Sequence, residues 1–271
     1  MIDSIINMFS YPFMLRALIV GMLVSLCGAL LGVNLVLKRY SMIGDGLSHV
    51  SFGAMAIAAA LNLAPLVVAI PVVLLAAFFL LGVKENSRIK GDSAIALITS
   101  SSLAIGVMVA TLTEGMNTDL MNYMFGSILS LSDVDTYLSV ALSIVVIAFY
   151  IIFYRGIFSV TFDESFAKAT GVKVDAYRVL TALLTAIVVV LGMRMMGTLL
   201  ISALLIFPPL SAMRVTKNFK ATVILSAIIS VVCFTIGIIL SYVLSTPVGA
   251  TVVIVNLTVF FINLIISVLK K

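Results

Sequence analysis

Charged side chains are scarce in this sequence. Only 10% of its 271 residues are Asp, Glu, Lys or Arg, whereas 63% are hydrophobic, and the mean hydropathy is +1.30. An ordinary soluble domain is about half apolar and about a quarter charged. The composition therefore excludes a soluble globular protein and predicts an integral membrane protein.

Motifs of self-energised or hydrolytic chemistry are also lacking. The chain has no G-x-x-x-x-G-K-[ST] phosphate loop, no H-E-x-x-H metal motif and no G-x-S-x-G nucleophile motif. Its two cysteines, Cys27 and Cys233, lie inside apolar runs without C-x-x-C spacing, which predicts inert packing residues. We therefore expect a protein that is not an enzyme and that depends on another subunit for energy.

Long apolar runs are what the sequence does contain. They are continuous rather than alternating, and each has roughly the 20 residues that a helix needs to cross a bilayer. This pattern predicts an all-α, polytopic transmembrane bundle, with residues 1–271 forming a single domain. The candidate spans number about nine, with approximate ends, at residues 13–37, 47–62, 64–83, 93–113, 136–154, 178–193, 196–213, 221–244 and 248–269.

Basic residues follow every second span. They come after spans 1, 3, 5 and 7 and at the end of the chain, whereas loops 114–135 and 245–249 contain no Lys or Arg. Because cytoplasmic loops carry the excess of Lys and Arg, this pattern predicts an outside N-terminus and a cytoplasmic C-terminus. Arg16 and Arg194 fit least well, since both are predicted near the outer face. The excess of 16 basic over 11 acidic residues is thus assigned to orientation, not to binding nucleic acid.

The only histidine, His49, lies four residues after Asp45 in the stretch RYSMIGDGLSHVSFG. On one helix this spacing places both side chains on the same face about 6 Å apart, close enough to bind one divalent cation. Ionisable groups at membrane depth are costly and usually face a cavity, a partner or a substrate path. Two ligands leave a metal shell incomplete, so we expect a two-fold homodimer to supply two carboxylates and two imidazoles.

A structural interpretation of the same pair is open. Asp45 would then be the N-cap of span 2 and would accept hydrogen bonds from the N–H groups of residues 47 and 48, with His49 at the headgroup level. An N-cap can be replaced by Asn or Ser with little loss, whereas a metal ligand cannot.

The longest connection assigned to the cytoplasm, residues 161–178, has the sequence TFDESFAKATGVKVDAYR. Its amphipathic part, Asp163 to Thr170, is followed by Gly171, and glycine is a usual helix C-cap. The pattern predicts one short helix lying along the cytoplasmic face. An ordinary surface loop is the alternative.

Several segments, in order along nearly the whole chain, resemble motifs of the permease subunits of metal-ion ABC importers of the zinc/manganese/iron family. After His49 the chain continues Val50-Ser51-Phe52-Gly53, whereas manganese-type members would continue Ala-Val-Leu-Pro-Gly, so the resemblance is closest to the zinc uptake permeases. The segments are LGVNLVLKRYSMIGDGLSHVSFGAMAIA, DLMNYMFGSIL, DESFAKATGVKVDAYRVL, MGTLLISALLIFPPLSAMRV and STPVGATVVI.

This resemblance implies roles and partners. Asp45 and His49 occupy positions associated with the metal in the translocation path. The family assembly contains two permeases, two ATPases and an extracellular metal-binding protein at the bacterial cell membrane. The residues that match the helix docking into the ATPase subunit are Phe166, Ala167, Thr170, Gly171 and Val172.

The expected function is import of bare Zn²⁺ through a multi-pass homodimeric permease with no permanently bound cofactor. A manganese or iron permease of the same family is the nearest alternative, because Asp/His sites bind several first-row divalent metals. A siderophore or vitamin permease would need a wide, polar or aromatic-lined path. A scaffold or sensor without transport is the remaining alternative.

Overall fold

The computed structural model describes residues 11–82, 91–113, 124–126 and 132–269. These residues are helical and contain no strand, which confirms the predicted all-α class. The helices of the described residues are α1 (Pro12–Leu37), α2 (Ser41–Ala60), α3 (Pro65–Gly82), α4 (Gly91–Leu112), α5 (Asp133–Ile152), α6 (Tyr154–Phe162), α7 (Glu164–Ala169), α8 (Val174–Val215), α9 (Phe219–Leu244) and α10 (Val248–Leu269).

Six of the described helices are long and apolar enough to cross a membrane: α1, α4, α5, α8, α9 and α10. Helix α2 is outside this set, and its sequence is rich in glycine and serine. More than half of its residues are nevertheless buried, because α3, α4 and α8 pack around it. Neighbouring protein therefore shields Ser48 and Ser51 of α2, which are fully buried.

The core of the bundle lies around α1 and α8. In their most apolar windows 61% and 67% of the residues are buried, against 17% for α4 and 11% for α10. Helix α1 packs against α5, α8 and α9, and α8 also contacts α2, α3 and α10. Helices α4 and α10 consequently present most of their apolar surface outward.

Helix α8 has 42 residues, which at the helical rise would be about 63 Å long, roughly twice the hydrocarbon thickness of a bilayer. It is broken at Gly197, where φ is 76° and ψ is 168°. The sequence predicted two spans, 178–193 and 196–213. The break at Gly197 lies just inside the second predicted span, two residues after the predicted gap at 194–195, and the helix already begins at Val174.

Three glycines bring backbones together at this break, and we call Gly126, Gly197 and Gly249 the glycine junction. A Cβ atom on Gly197 would lie 2.5 Å from both Gly126 N and Met124 O, and one on Gly249 would lie 2.6 Å from Phe125 O. Real Cβ atoms essentially never approach other atoms this closely. The residues at the junction therefore have to lack a side chain.

A tight turn, Lys38–Tyr40, joins α1 to α2. The Tyr40 N–H donates to Leu35 O (2.8 Å) and the Arg39 N–H to Val36 O (3.1 Å), the hydrogen bonds of a Schellman motif. Arg39 adopts the left-handed conformation, with φ of 61°. Because this turn is so short, α2 starts at Ser41 rather than at the predicted residue 47.

Ion pairs lie at both ends of α1. At its N-terminal end Arg16 pairs with Asp133, and Arg194 donates to Asp135 Oδ2 at 3.1 Å. At its C-terminal end Lys38 pairs with Glu164. Residues 16 and 38 are about 33 Å apart along a helix, close to the thickness of a bilayer core. The two arginines that fitted least well from sequence thus have acidic partners.

Candidate functional site

Asp45 and His49 lie on the same face of α2, as their spacing predicted. His49 Nε2 is 3.9 Å from Asp45 Oδ1, too far for a hydrogen bond between them. Zinc bonds to histidine nitrogen and carboxylate oxygen are both about 2.0–2.2 Å long, so atoms at this separation can share one cation. Both side chains remain partly exposed, at 36% for Asp45 and 20% for His49.

The N-cap interpretation of Asp45 is wrong. Helix α2 begins at Ser41 with Tyr40 at the N-cap position, so Asp45 lies in the second turn. Its carboxylate accepts a hydrogen bond from a side-chain hydroxyl, that of Ser202, at 2.9 Å. Helix capping therefore does not explain a carboxylate at this position.

Two serine hydroxyls, which sequence reasoning missed, complete the surroundings of Asp45. Ser202 lies on α8 just beyond the Gly197 break and donates to Asp45 Oδ1. Ser48 Oγ lies 3.2 Å from Ser202 Oγ and donates to the backbone oxygen of Asp45 at 2.7 Å. Ser48 is three residues after Asp45, so helical spacing could have indicated it. Ser202 is 157 residues away along the chain and gave no local signal.

Unused hydrogen-bonding capacity surrounds the pair. Among the described residues, the buried His49 Nδ1 has no hydrogen-bond partner, and neither has the buried Ser51 Oγ, which lies half a turn further along α2 and so on the opposite face. Leaving a buried donor or acceptor without a partner costs about 1–3 kcal/mol. Such atoms are usually satisfied by water, an ion or a partner molecule.

The position of Leu205 shows how deep the pair lies. Leu205 packs against Gly44, which adjoins Asp45, and against Gly32 of α1. Gly32 is six residues before Lys38, or about 9 Å along the helix from the charged end of α1. The backbone of α2 at Asp45 therefore adjoins apolar packing between α1 and α8, although the Asp45 side chain itself is 36% exposed.

The described residues contain no group of three or more His, Cys, Asp or Glu side chains that could bind a metal ion. Asp45 and His49 can therefore offer a cation at most two ligands in one copy of the chain. A tetrahedral zinc site needs four ligands, and the missing ones have to come from water, the neighbouring hydroxyls or another copy.

The short helix predicted after residue 162 is α7, and its predicted cap is confirmed. The Asp163 side chain accepts the Phe166 N–H at 2.9 Å and starts the helix. Gly171 ends it with φ of 85°, and the Val172 N–H donates to Ala167 O at 2.9 Å, as in a Schellman motif. Glycine adopts this conformation without strain.

The five residues predicted to couple to an ATPase all belong to this motif. Phe166 is 62% exposed, whereas Ala167 is fully buried beside Val160 and Val174. The Thr170 hydroxyl donates to the carbonyls of Phe166 and Ala167, each at 3.0 Å. Helix α7 is thus anchored through Ala167 and presents Phe166 outward.

Comparison with known proteins identifies the family. Residues 10–267 match the model of the ABC 3 transport family. The chain belongs to this family. Its helices, apolar surface and relatives are those of a multi-pass cell-membrane permease, and the resemblance to metal-ion ABC importer permeases drawn from its motifs is confirmed.

Named relatives include permeases for different metals. The manganese import system permease protein ScaB of Streptococcus gordonii is 30% identical, over 98% of this chain and 95% of the relative. The high-affinity zinc uptake system membrane protein ZnuB of Haemophilus influenzae is 29% identical, over 94% of this chain and 97% of the relative. Among solved structures, PsaBC from Streptococcus pneumoniae in complex with Fab matches with a TM-score of 0.87 and 30% identity, covering 97% and 95% of the two chains.

Proposed function

We propose that this chain is the permease subunit of an ABC importer that passes a divalent transition-metal cation into the cytoplasm. The observation that carries the proposal is the open 3.9 Å gap between His49 Nε2 and Asp45 Oδ1, on α2 of the apolar bundle. A carboxylate and an imidazole in this arrangement suit a bare divalent cation. Transport also requires weak, incomplete coordination, since a closed four-ligand site would trap the ion.

A homodimer with α2 near its two-fold axis completes the proposed site. Two copies supply two carboxylates and two imidazoles, a set that suits a tetrahedral cation. The unpartnered His49 Nδ1 supports this arrangement, because a second copy or an ordered water is expected to satisfy it.

Energy comes, in this proposal, from a separate ATPase subunit that docks on α7. The outward side chain of Phe166 and the rigid cap at Gly171 suit insertion into a groove. ATP binding and hydrolysis then move the two permeases between outward-facing and inward-facing states. An extracellular metal-binding protein delivers the cation.

Nine membrane crossings with an outside N-terminus accompany this proposal. The ion pairs of Arg16 and Lys38, about 33 Å apart along α1, suit the two faces of a bilayer. Nine crossings result when α2 and α3 are counted with the six long apolar helices and the two parts of α8 on either side of Gly197 are counted separately, which is the number that the basic loops require.

Zinc is the proposed substrate, since residues 50–53 depart from the manganese-type continuation and are closer to that of the zinc uptake permeases. Manganese is the second candidate, because the Ser48 and Ser202 hydroxyls surround Asp45 with oxygen donors, which suit harder cations. Competition between the two metals for uptake into proteoliposomes discriminates them. A zinc permease takes up zinc in the presence of equimolar manganese, and the reverse preference identifies a manganese permease.

The proposed function is tested by replacing Asp45 and His49 with alanine. Each variant should insert and dimerise normally but lose metal uptake in cells grown under metal limitation. Asp133→Asn is the control, because Asp133 is 65% exposed and pairs with Arg16 at the opposite end of α1. Normal uptake by both alanine variants removes the ligand assignment, and uptake of chelated rather than free metal identifies a siderophore-type permease instead.

A further inference from the structure

A single carboxylate, that of Glu164, joins three elements at the Lys38 end of the bundle. Its Oε1 atom accepts hydrogen bonds from Lys38 Nζ at 2.5 Å and from Arg178 Nε at 3.2 Å. Its Oε2 atom accepts from the second guanidinium nitrogen of Arg178. Lys38 follows α1, Glu164 begins α7 and Arg178 lies in the second turn of α8. We call this set of contacts the Glu164 bridge.

The bridge is partly enclosed and charged. The Glu164 side chain is 33% exposed and that of Lys38 only 16%. Burial works to raise the pKa of Glu164, but hydrogen bonds from Arg178 and Lys38 outweigh it, so the pKa lies below its ordinary value. Charge-assisted hydrogen bonds of this kind are about twice as strong as neutral ones.

Both cations of the bridge belong to elements that reach Asp45. Lys38 is the C-cap of α1, and only Arg39 and Tyr40 separate it from α2. These two residues are fixed by hydrogen bonds to Val36 O and Leu35 O, so a displacement of Lys38 is expected to move the start of the helix that carries Asp45. Arg178 belongs to α8, whose second part carries Ser202, the hydroxyl donor to Asp45. Two separate paths thus run from Glu164 to the same carboxylate.

Neighbouring acidic residues make no comparable contacts. Asp163 caps α7 through a bond within its own motif, to the Phe166 N–H. Asp175 lies 3.7 Å from Arg178 and is 93% exposed. Exposed ion pairs contribute little, typically less than about 1 kcal/mol. Glu164 is therefore the carboxylate of this region that fastens α7 to the bundle.

We propose that Glu164 is a positioning residue that transmits movement of α7 to the Asp45 site through Lys38 and Arg178. This inference rests on the proposed function, in which an ATPase moves α7. Without the bridge, α7 would still fold on its own caps and Ala167 anchor, and would still receive the ATPase. Its motion would no longer reach α2 through Lys38, and it would reach α8 only through the Ala167–Val174 contact and the short connection at residues 170–173.

The test uses the whole transporter, with its ATPase subunits, in proteoliposomes that contain free Zn²⁺ as the transported probe. Glu164→Gln keeps the shape of the side chain and removes its charge. We expect zinc transported per ATP hydrolysed to fall by about tenfold, while ATPase co-purification stays at the wild-type level. Asp133→Asn, which breaks an ion pair at the other end of α1, should leave this ratio unchanged.

A covalent cross-link between positions 38 and 164 tests whether the lost coupling can be restored. The described cysteines, Cys27 and Cys233, are buried, so Lys38→Cys with Glu164→Cys can be joined selectively by a short cleavable cross-linker. Cross-linking should restore the transport ratio, and cleavage of the linker should abolish it again. If Glu164→Gln fails to accumulate, the Lys38→Cys, Glu164→Cys double variant tests the inference in its place.

An unchanged ratio in Glu164→Gln overturns the inference, as does a cross-linked pair that stays uncoupled. Loss of ATPase co-purification in Glu164→Gln also overturns it, since Glu164 would then serve docking itself. These outcomes differ from failure of the proposed function, in which the wild-type transporter moves no metal at all.

Discussion

The glycine junction and the Glu164 bridge join helices of the bundle by different kinds of contact. The glycine junction brings bare backbones into contact at the break in α8, and no side chain can enter it. The Glu164 bridge joins α1, α7 and α8 through long charged side chains. Backbone contacts tolerate almost no change in side-chain volume, whereas the strength of an ion pair changes gradually with pH and salt. We therefore expect the glycine junction to hold the break in α8 in one geometry, and the Glu164 bridge to allow small changes in the relative positions of α1, α7 and α8.

The largest effect is expected at the glycine junction. Gly197→Ala forces an L-residue into φ of 76° and places its Cβ atom 2.5 Å from Gly126 N, so we expect a destabilisation of about 3 kcal/mol or more. Gly28→Ala is the control, because its Cβ atom would meet nothing closer than 3.9 Å. Size-exclusion chromatography of solubilised permease should show loss of the folded species for Gly197→Ala alone. Equal yields for the two variants would remove the steric account of the junction.

A smaller effect is expected at Gly171, where a side chain would strain the backbone but would not clash with neighbouring atoms. Its φ is 85°, but an added Cβ atom would meet no atom within 4 Å. Gly171→Val should therefore accumulate as a folded permease with α7 distorted, and bind metal normally. ATPase stimulation by the permease should fall several-fold, whereas Gly171→Asn, which tolerates this conformation, should retain most of it. Unaltered stimulation in Gly171→Val contradicts the docking role of α7.

Acid should weaken the Glu164 bridge and spare the glycine contacts. The pKa of Glu164 is lowered from 4.5 in the folded protein, so its contribution is complete above pH 4.5 and is lost as the pH falls through the lowered value. The unfolding temperatures of wild type and Glu164→Gln should therefore differ most above pH 4.5 and converge as the pH falls through the lowered pKa of Glu164. A constant difference across this range shows that the charge of Glu164 does not stabilise the fold.

The smallest effect is expected at Arg39, the left-handed residue of the turn before α2. Arg39→Gly removes backbone strain but also loosens the unfolded chain, so we expect a net gain below about 1 kcal/mol in unfolding free energy. Asn62 occupies the same conformation at the end of α2, with φ of 55°, and asparagine tolerates it better. Asn62→Gly should consequently gain less than Arg39→Gly when both are measured by thermal shift.

Sequence patterning predicted the bundle well because hydropathy directly reports which segments are long and apolar. It placed α2 too late, since Arg39 in a left-handed turn carries none of the glycine signal that usually marks a helix end. The break in α8 was anticipated only approximately, because the predicted gap at 194–195 contains Arg194 whereas the helix breaks at Gly197. The partners of Arg16 and Arg194 could not be found this way, since they lie on α5 and are distant in sequence.

The candidate site was predictable only in part. The spacing of Asp45 and His49 gave their shared face, because both lie on one helix. Ser202 and Glu164 owe their contacts to tertiary packing between helices that are far apart in the chain, and neither serines in apolar helices nor acids in loops are unusual. The docking role of the α7 residues is a prediction from family resemblance, to which their local geometry adds the Schellman cap and the Ala167 anchor.

The most direct test of the metal path is anomalous X-ray scattering from zinc-loaded permease. We predict one peak about 2.0–2.2 Å from Asp45 Oδ1 and His49 Nε2, with ligands from both copies, that disappears in Asp45→Ala. A peak away from these atoms, or one that persists in Asp45→Ala, would contradict the account.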